Sequence, residues 1–475
     1  MAMGCIATNV RYVGKWYRMQ FAAALEVLML LVVAIVIPKP TVYANTGDWP
    51  TLMEGIARSG YNASETIINP TTASNLKLHW SYTLGFGKDV SSQPVEANGL
   101  SYWGAWDGYE RATDQNGRVI WQTYLGQTTD SNCDPPSVGV ASTATVATVP
   151  INGTMTPVVF VGGGNGNFYT LNANTGAIIW QTLLGSPPSH FLWSSPALYH
   201  GSIYEGVSSF GDCPLVQGQL VQLKASTGAI QHIFNVVPTG CIGGSVWGSP
   251  AIDGTTGTIY FGTGNAGSCS TSEKMAPALV ALKTTDLSFV GSWQVPASQQ
   301  IIDSDFGTTP TLFKAMIGGV LRAMVGIENK NGIYYAFDRT NISAGPVWRD
   351  RLATGKGTYG LSSSAWDGAR LYAAGASTII NGTSCPGSLR ALNTATGQVL
   401  WQICLNHNIY TPITSVRGVV VVGDGPSLIA VNATTGKQLF SYQDSVSSSH
   451  FAGTSISNGV LYAGNLDGKL YAFGM

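Results

Sequence analysis

The sequence predicts an all-β fold: a single eight-bladed β-propeller of four-stranded antiparallel blades, closed by pairing the N-terminal strand into the C-terminal blade. Three observations carry that expectation. A short hairpin ending in Trp recurs at blade-like spacing. Glycine is abundant, 58 of 475 residues, or about 12% against about 7% in a typical domain. Charged residues make up only 10%, too few for the wet faces of long surface helices.

The repeat is read first. Its copies are ATDQNGRVIW (112–121), TLNANTGAIIW (170–180), ALNTATGQVLW (391–401) and AVNATTGKQLF (430–440). Weaker copies are QLKASTGAIQH (222–232), ALKTTDLSFVGSW (281–293) and AFDRTNISAGPVW (336–348). Asn/Asp-x-x-Thr-Gly is a turn, in which the Asx or Thr side chain bonds nearby backbone and Gly takes positive φ. Apolar residues alternate on both sides, so each copy is a β-hairpin. The anchor position falls at Trp80, Trp121, Trp180, His232, Trp293, Trp348, Trp401 and Phe440. The shortest gaps, 41 and 39 residues, suit a propeller blade of about 40–45 residues. Longer gaps are expected to hold loops on one face. Eight anchors imply eight blades, and the anchor Trp residues are expected to pack between neighbouring blades.

Closure follows from the ends. Strand-like segments near Phe451–Ile456, Gly459–Ala463 and Lys469–Phe473 leave the last blade one strand short. The first anchor, Leu76-Lys77-Leu78-His79-Trp80, has no complete hairpin before it. Pairing the two completes a ring and removes exposed sheet edges.

Residues 1–44 read as a secretory signal. Arg11, Lys15 and Arg18 precede an apolar stretch from Phe21 to Ile37, with a clean run of 11 residues from Val27. Val42 and Ala44 then offer small residues for cleavage after Ala44. An uncleaved anchor is the alternative. Either way residues 45–475 are expected outside the cytoplasm: periplasmic, at the cell surface or extracellular. No second long apolar run follows, so the mature chain is expected to have no membrane span. Cysteine usage agrees. Cys133, Cys213, Cys241, Cys269, Cys385 and Cys404 remain, an even set allowing up to three disulfides, with the pairing open. No C-x-x-C-H is present, so no covalent haem is expected. Net charge is −1, and without a basic stripe nucleic-acid binding is excluded as a function class.

The motif Ala-x-Asp/Asn-x-x-Thr-Gly-x-x-x-Trp resembles the repeat of the pyrroloquinoline quinone (PQQ) propellers, from about Trp49 to Phe473. DWPTLMEGIARSGYN (48–62), SPAIDGTTGTIYFGTGN (249–265) and DSDFGTTPTLF (303–313) are most similar to the polyvinyl-alcohol-dehydrogenase-like branch of these quinoproteins. That resemblance implies PQQ, a calcium ion, an alcohol substrate, simple or polymeric, and an external electron acceptor such as a cytochrome c.

An alcohol-oxidising quinone site needs an aromatic floor, cationic donors, hard oxygen ligands for the cation and a carboxylate base. Trp247, in GGSVWGSP (243–250), matches the family's Trp beneath the quinone. Asn265 matches its calcium-ligating Asn. Asp303 and Asp305, two apart in IDSDFG (302–307), would share one side of a strand. The match makes Asp305 the base and Asp303 a support or calcium ligand. Lys330, in ENKNG (328–332), matches a Lys that bonds the quinone. Asp212 falls near the family's calcium-binding Glu, with a shorter side chain. Three positions depart from the pattern. No two Cys are adjacent, Gln217 stands where an Arg is expected, and Ser92-Gln93-Pro94 lacks a Glu. A cofactor-free propeller that binds a protein partner at the envelope or outside the cell is therefore the alternative function.

Overall fold

A computed structural model describes residues 47–354 and 360–475. The signal expected over residues 1–44 lies outside the described residues. Eight sheets of four or five strands, and one two-stranded ribbon, make up the topology. The innermost strands of blades 1 to 8 are Val95–Ala97, Thr145–Ile151, Ala197–Tyr199, Ala251–Asp253, Thr311–Ile317, Ala365–Trp366, Thr414–Val416 and Ser455–Ser457. These strands neighbour one another around a central axis. Blade 8 closes the ring as expected: Lys77–Thr83 pairs antiparallel with Lys469–Gly474. No helix among the described residues is long and apolar enough to cross a membrane.

The hairpin motif recurs because it couples one blade to the next. The Trp401 Nε1–H donates to Ala433 O (3.0 Å), in the turn of the following blade. Trp80, Trp121, Trp180 and Trp348 make the same bond to Gln115, Ala173, Ala225 and Thr394. The turn glycine then lies flat under the indole. Gly436 has φ +70°, and a Cβ there would stand 2.7 Å from the Trp401 ring. Gly436→Val combines backbone strain with a steric clash, so we expect a loss of about 1–3 kcal/mol, read as a shift in the urea midpoint. A loss below ~0.5 kcal/mol would show that the Trp–Gly contact is incidental.

Longer gaps were expected to be loops on one face. Many are, including the segments between outer and inner strands at 125–144, 236–250 and 295–310. Blades 2 and 5 differ. Their innermost strands run seven residues instead of the two or three found in the other blades. At about 3.3 Å per residue those hairpins project from the opposite face.

Residues 47–62 thread the axis at that opposite end. Trp49 exchanges two hydrogen bonds with Glu96 of blade 1 (both 2.9 Å). Pro50, Ile56, Ala57, Ser59 and Gly60 then accept backbone N–H groups from Val146, Ile252, Leu312, Trp366 and Ser415, in blades 2, 4, 5, 6 and 7. Asn62 Nδ2 reaches Ile456 O in blade 8 (3.0 Å). Arg58 is wholly buried, and its guanidinium donates to Leu52 O (2.8 Å), Pro196 O (2.9 Å) and Pro250 O (2.9 Å). The segment thus ties the blades together at the axis.

A second series of bonds joins blades 1 to 6 beside the cavity. In blades 1 to 5 the backbone N–H two residues before the innermost strand donates to a hydroxyl of the next blade. The series runs Gln93 to Thr143 (2.8 Å), Thr143 to Ser195 (2.9 Å), Ser195 to Ser249 (2.8 Å), Ser249 to Thr309 (3.3 Å) and Thr309 to Ser363 (2.9 Å). Three disulfides form: Cys133–Cys213, Cys241–Cys269 and Cys385–Cys404. The first joins two loops that line the cavity rim at Asp134 and Asp212.

Candidate active site

The axial cavity has a volume of about 600 Å³ and opens on the face of the outer-to-inner connections. That size suits a small organic ligand or cofactor. Trp247, Asp303, Asp305, Lys330 and Asp212 all line it.

Four of the candidate residues meet around Lys330. Its ammonium lies 3.0 Å from both oxygens of Asp303 and 2.7 Å from Asp305 Oδ1. It also stands 4.8 Å from the centre of the Trp247 ring, within cation–π range. The Trp247 Nε1–H donates to Asp305 Oδ2 (2.9 Å). Asn265 Nδ2 donates to Asp303 Oδ1 (2.8 Å), which leaves its carboxamide oxygen as an acceptor. Blades 4 and 5 therefore bring Trp247, Asn265, Asp303, Asp305 and Lys330 into one constellation.

The two aspartates are driven apart electrostatically. Burial raises Asp305 to about 6, despite the neighbouring Lys330. Asp303 is also penalised by burial, but the Lys330 charge and the Asn265 bond outweigh it and hold its pKa below the usual value. Burial alone would lower Lys330, yet the two carboxylates raise it. This division suits one carboxylate to exchange a proton near neutrality while the other stays ionised. In metal-free protein the Trp247 emission should titrate with a midpoint near pH 6. Subtracting the signal of Trp247→Phe isolates it, and a flat difference between pH 4.5 and 7.5 would contradict the assignment.

Asp303 and Asp305 do not share the side of a strand, as their spacing suggested. They lie in the loop 295–310, and Asp303 has φ +57°. The loop is held by a residue that sequence reasoning missed. Asn329 Nδ2 donates to Ser304 O (2.7 Å) and Asp305 O (3.1 Å), and Lys330 N–H donates to Asp305 O (3.1 Å). The turn Asn329–Gly332 thus carries the lysine and clamps its carboxylate partners. The signal was present as the Asn before Lys330. Gly307 matters for the floor: a Cβ there would run into the Trp247 ring, so only Gly lets the indole lie in place.

Asp212 stands apart from this group. Its side chain is exposed, its φ is +59°, and its Oδ1 accepts the Ser209 hydroxyl (2.8 Å). The only cluster of three metal-ligating side chains within 4.8 Å among the described residues is Cys241, Cys269 and Glu273, whose sulfurs are joined in a disulfide. Two of the three departures have structural roles. Gln93 Oε1 accepts the Met53 N–H (2.7 Å) and its Nε2 donates to Thr454 O (2.5 Å). Gln217 Nε2 donates to Val237 O (3.0 Å) and Pro238 O (3.1 Å).

The donor set fits a planar, anionic quinone in three respects: an indole floor seated on Gly307, an ammonium at hand beside it, and a cavity of sufficient volume. For a hard cation it offers the Asn265 carboxamide oxygen and the Asp303 carboxylate side by side.

Comparison with known proteins speaks to family and fold. The PQQ_2 model, the repeat of outer membrane protein assembly factor BamB, matches residues 107–274 and 330–474. A quinohemoprotein alcohol dehydrogenase of Comamonas testosteroni is 26% identical over 345 residues, covering 63% of this chain and 46% of that protein. A polyvinylalcohol dehydrogenase of Sphingopyxis sp. (strain 113P3) is 26% identical over 276 residues, covering 49% and 41%. The chain thus spans less than half the length of these relatives. The crystal structure of the Comamonas enzyme superposes with a TM-score of 0.71 at 19% identity, covering 91% of this chain and 81% of that one, a likeness of fold. With the repeat model matching well over half of its length, the chain belongs to the PQQ_2 family of repeat propellers.

Proposed function

We propose that this propeller is an exported, PQQ- and calcium-dependent alcohol dehydrogenase. One observation carries the reading: a buried carboxylate, Asp305, whose pKa lies near 6, is hydrogen-bonded by Trp247 and paired with Lys330 on the wall of the axial cavity. The names of the relatives support it. Trp247 and Lys330 would hold the quinone, and Asn265 and Asp303 the calcium ion; Asp212, bonded to Ser209 on the cavity rim, would join them only by turning its side chain inward. When bound, the quinone supplies the acceptor for the hydride of the alcohol carbon. Asp305 accepts the hydroxyl proton, and its burial keeps its basicity close to the working pH. Lys330 holds Asp303 ionised and orients Asp305. Electrons leave to an external acceptor such as a cytochrome c, and residues 1–44 direct the chain out of the cytoplasm.

The test is a dye-linked alcohol assay of purified protein supplied with PQQ and CaCl₂. Dye reduction should need alcohol, quinone and cation together, and chelation of the cation should abolish it reversibly. No alcohol-dependent dye reduction under any combination would sink the reading.

A second reading has its own support. Gln93 and Gln217 spend their amides on the protein's own backbone, and the matching repeat model is that of an assembly factor. The chain would then be a cofactor-free scaffold for a protein partner. Stoichiometric quinone on protein purified from its native host would refute it.

A further inference from the structure

The axial cavity keeps its charged groups to one side. Blades 2 to 5 contribute Asp134, Asp212, Asp303, Asp305 and Lys330, with Trp193, Phe210 and Trp247 among them. Across the axis, blades 6 to 8 contribute Leu361, Tyr410, Pro412, Phe451 and Leu466. Tyr410 and Phe451 form a stacked pair, with ring centroids 5.7 Å apart and planes inclined by 26°. Each of these two residues comes from the short connection that leads into an innermost strand, so the rigid axial frame fixes both rings.

Few polar groups line that side. The Ser363 hydroxyl accepts the Thr309 N–H (2.9 Å), and the Tyr410 hydroxyl accepts the Asn408 Nδ2–H (3.4 Å). At the border in blade 1, the Ser91 hydroxyl accepts the Trp106 Nε1–H (2.8 Å), and both ends of the Gln93 amide are bonded to backbone. A ligand hydroxyl pressed against blades 6 to 8 would lose its water with few partners in return, which is unfavourable. An aromatic or alkyl group placed there would leave water and stack on fixed rings, which is favourable.

We propose that Tyr410 and Phe451 form a specificity wall, and that the cavity selects amphiphilic alcohols. The carbinol end faces Asp305, and an aromatic or compact alkyl body packs on the stacked pair. Polyhydroxylated alcohols are disfavoured. The proposal rests on the alcohol-dehydrogenase reading for the direction in which the carbinol points.

Its test is calorimetric titration of the purified, quinone-free chain with 2-phenylethanol and with 2,4-pentanediol, a short model of a polyhydroxylated chain. The aryl alcohol should bind at least ~10-fold more tightly than the diol, the scale on which apolar pockets discriminate. Phe451→Ala should weaken aryl-alcohol binding by about 10-fold or more. Tyr410→Leu, which keeps an apolar volume but removes the stacking face, should weaken it by a smaller factor. Diol binding as tight as aryl-alcohol binding, no binding of either, or unchanged affinity in both folded variants would each overturn the proposal. Binding needs no turnover, so the two ideas fail separately. A chain that selects the aryl alcohol but reduces no dye refutes only the dehydrogenase. A chain that turns over but prefers the diol refutes only the wall.

Discussion

Asp305→Asn lowers alcohol oxidation by about 10²–10⁴-fold, the usual contribution of a positioned general base. The substitution is close to isosteric. Its carboxamide oxygen can still accept the Trp247 Nε1–H, which now goes to Asp305 Oδ2. What is lost is the site that receives the proton. Asp303→Asn should cost less, because Asp303 stays ionised beside Lys330 and serves by holding charge and geometry. Steady-state rates of the two variants, with quinone content measured for each, check the ranking. Equal losses, or a larger loss in Asp303→Asn, would reverse the assigned roles.

Arg58→Ala destabilises the fold by about 3–5 kcal/mol, the range for breaking a buried charged group away from its partners. Burial pulls the pKa of Arg58 down to about 9, with the Glu205 carboxyl acting in the other direction, so the guanidinium is charged at neutral pH. It bonds the carbonyls of Leu52, Pro196 and Pro250. Removing it leaves those acceptors dry and unpaired at the point where residues 47–62 meet blades 3 and 4. Arg58→Lys should recover only part of the loss, since one ammonium cannot span the fork. Chemical denaturation measures both, and a cost below ~1 kcal/mol for Arg58→Ala would show that the axial segment holds little.

The ring of blades was legible in the sequence for a physical reason. Five of the six anchor Trp residues bond a carbonyl and cover a glycine in the next blade, so the repeat writes an inter-blade contact into local spacing. The weaker copies reflect the same rule. His232 and Phe440 lack the indole that makes the bond in five of the other blades. Blade closure could be read because one incomplete end needed the other.

The axial segment could not be read. Residues 47–62 have no periodicity, and most of their partners lie far along the chain. Trp247, Asn265, Asp303, Asp305 and Lys330 were visible through a resemblance, but their convergence was not. It depends on the loop 295–310 being clamped by Asn329, whereas the Asp-x-Asp spacing alone suggested a strand. Asp212 shows the converse. Proximity in the motif did not translate into contact, because its left-handed backbone and the Ser209 bond turn it to its own loop. Tyr410 and Phe451 carry no motif, and only the closed ring sets them opposite the carboxylates.

The central claim is that the axial cavity holds a quinone on Trp247 beside Asp305. The direct measurement is quinone retained per chain after gel filtration of protein incubated with PQQ and calcium, read by absorbance. Wild type and Asp305→Asn are predicted to retain about one equivalent, and Trp247→Ala to retain almost none. Wild-type protein that emerges free of quinone would contradict the account.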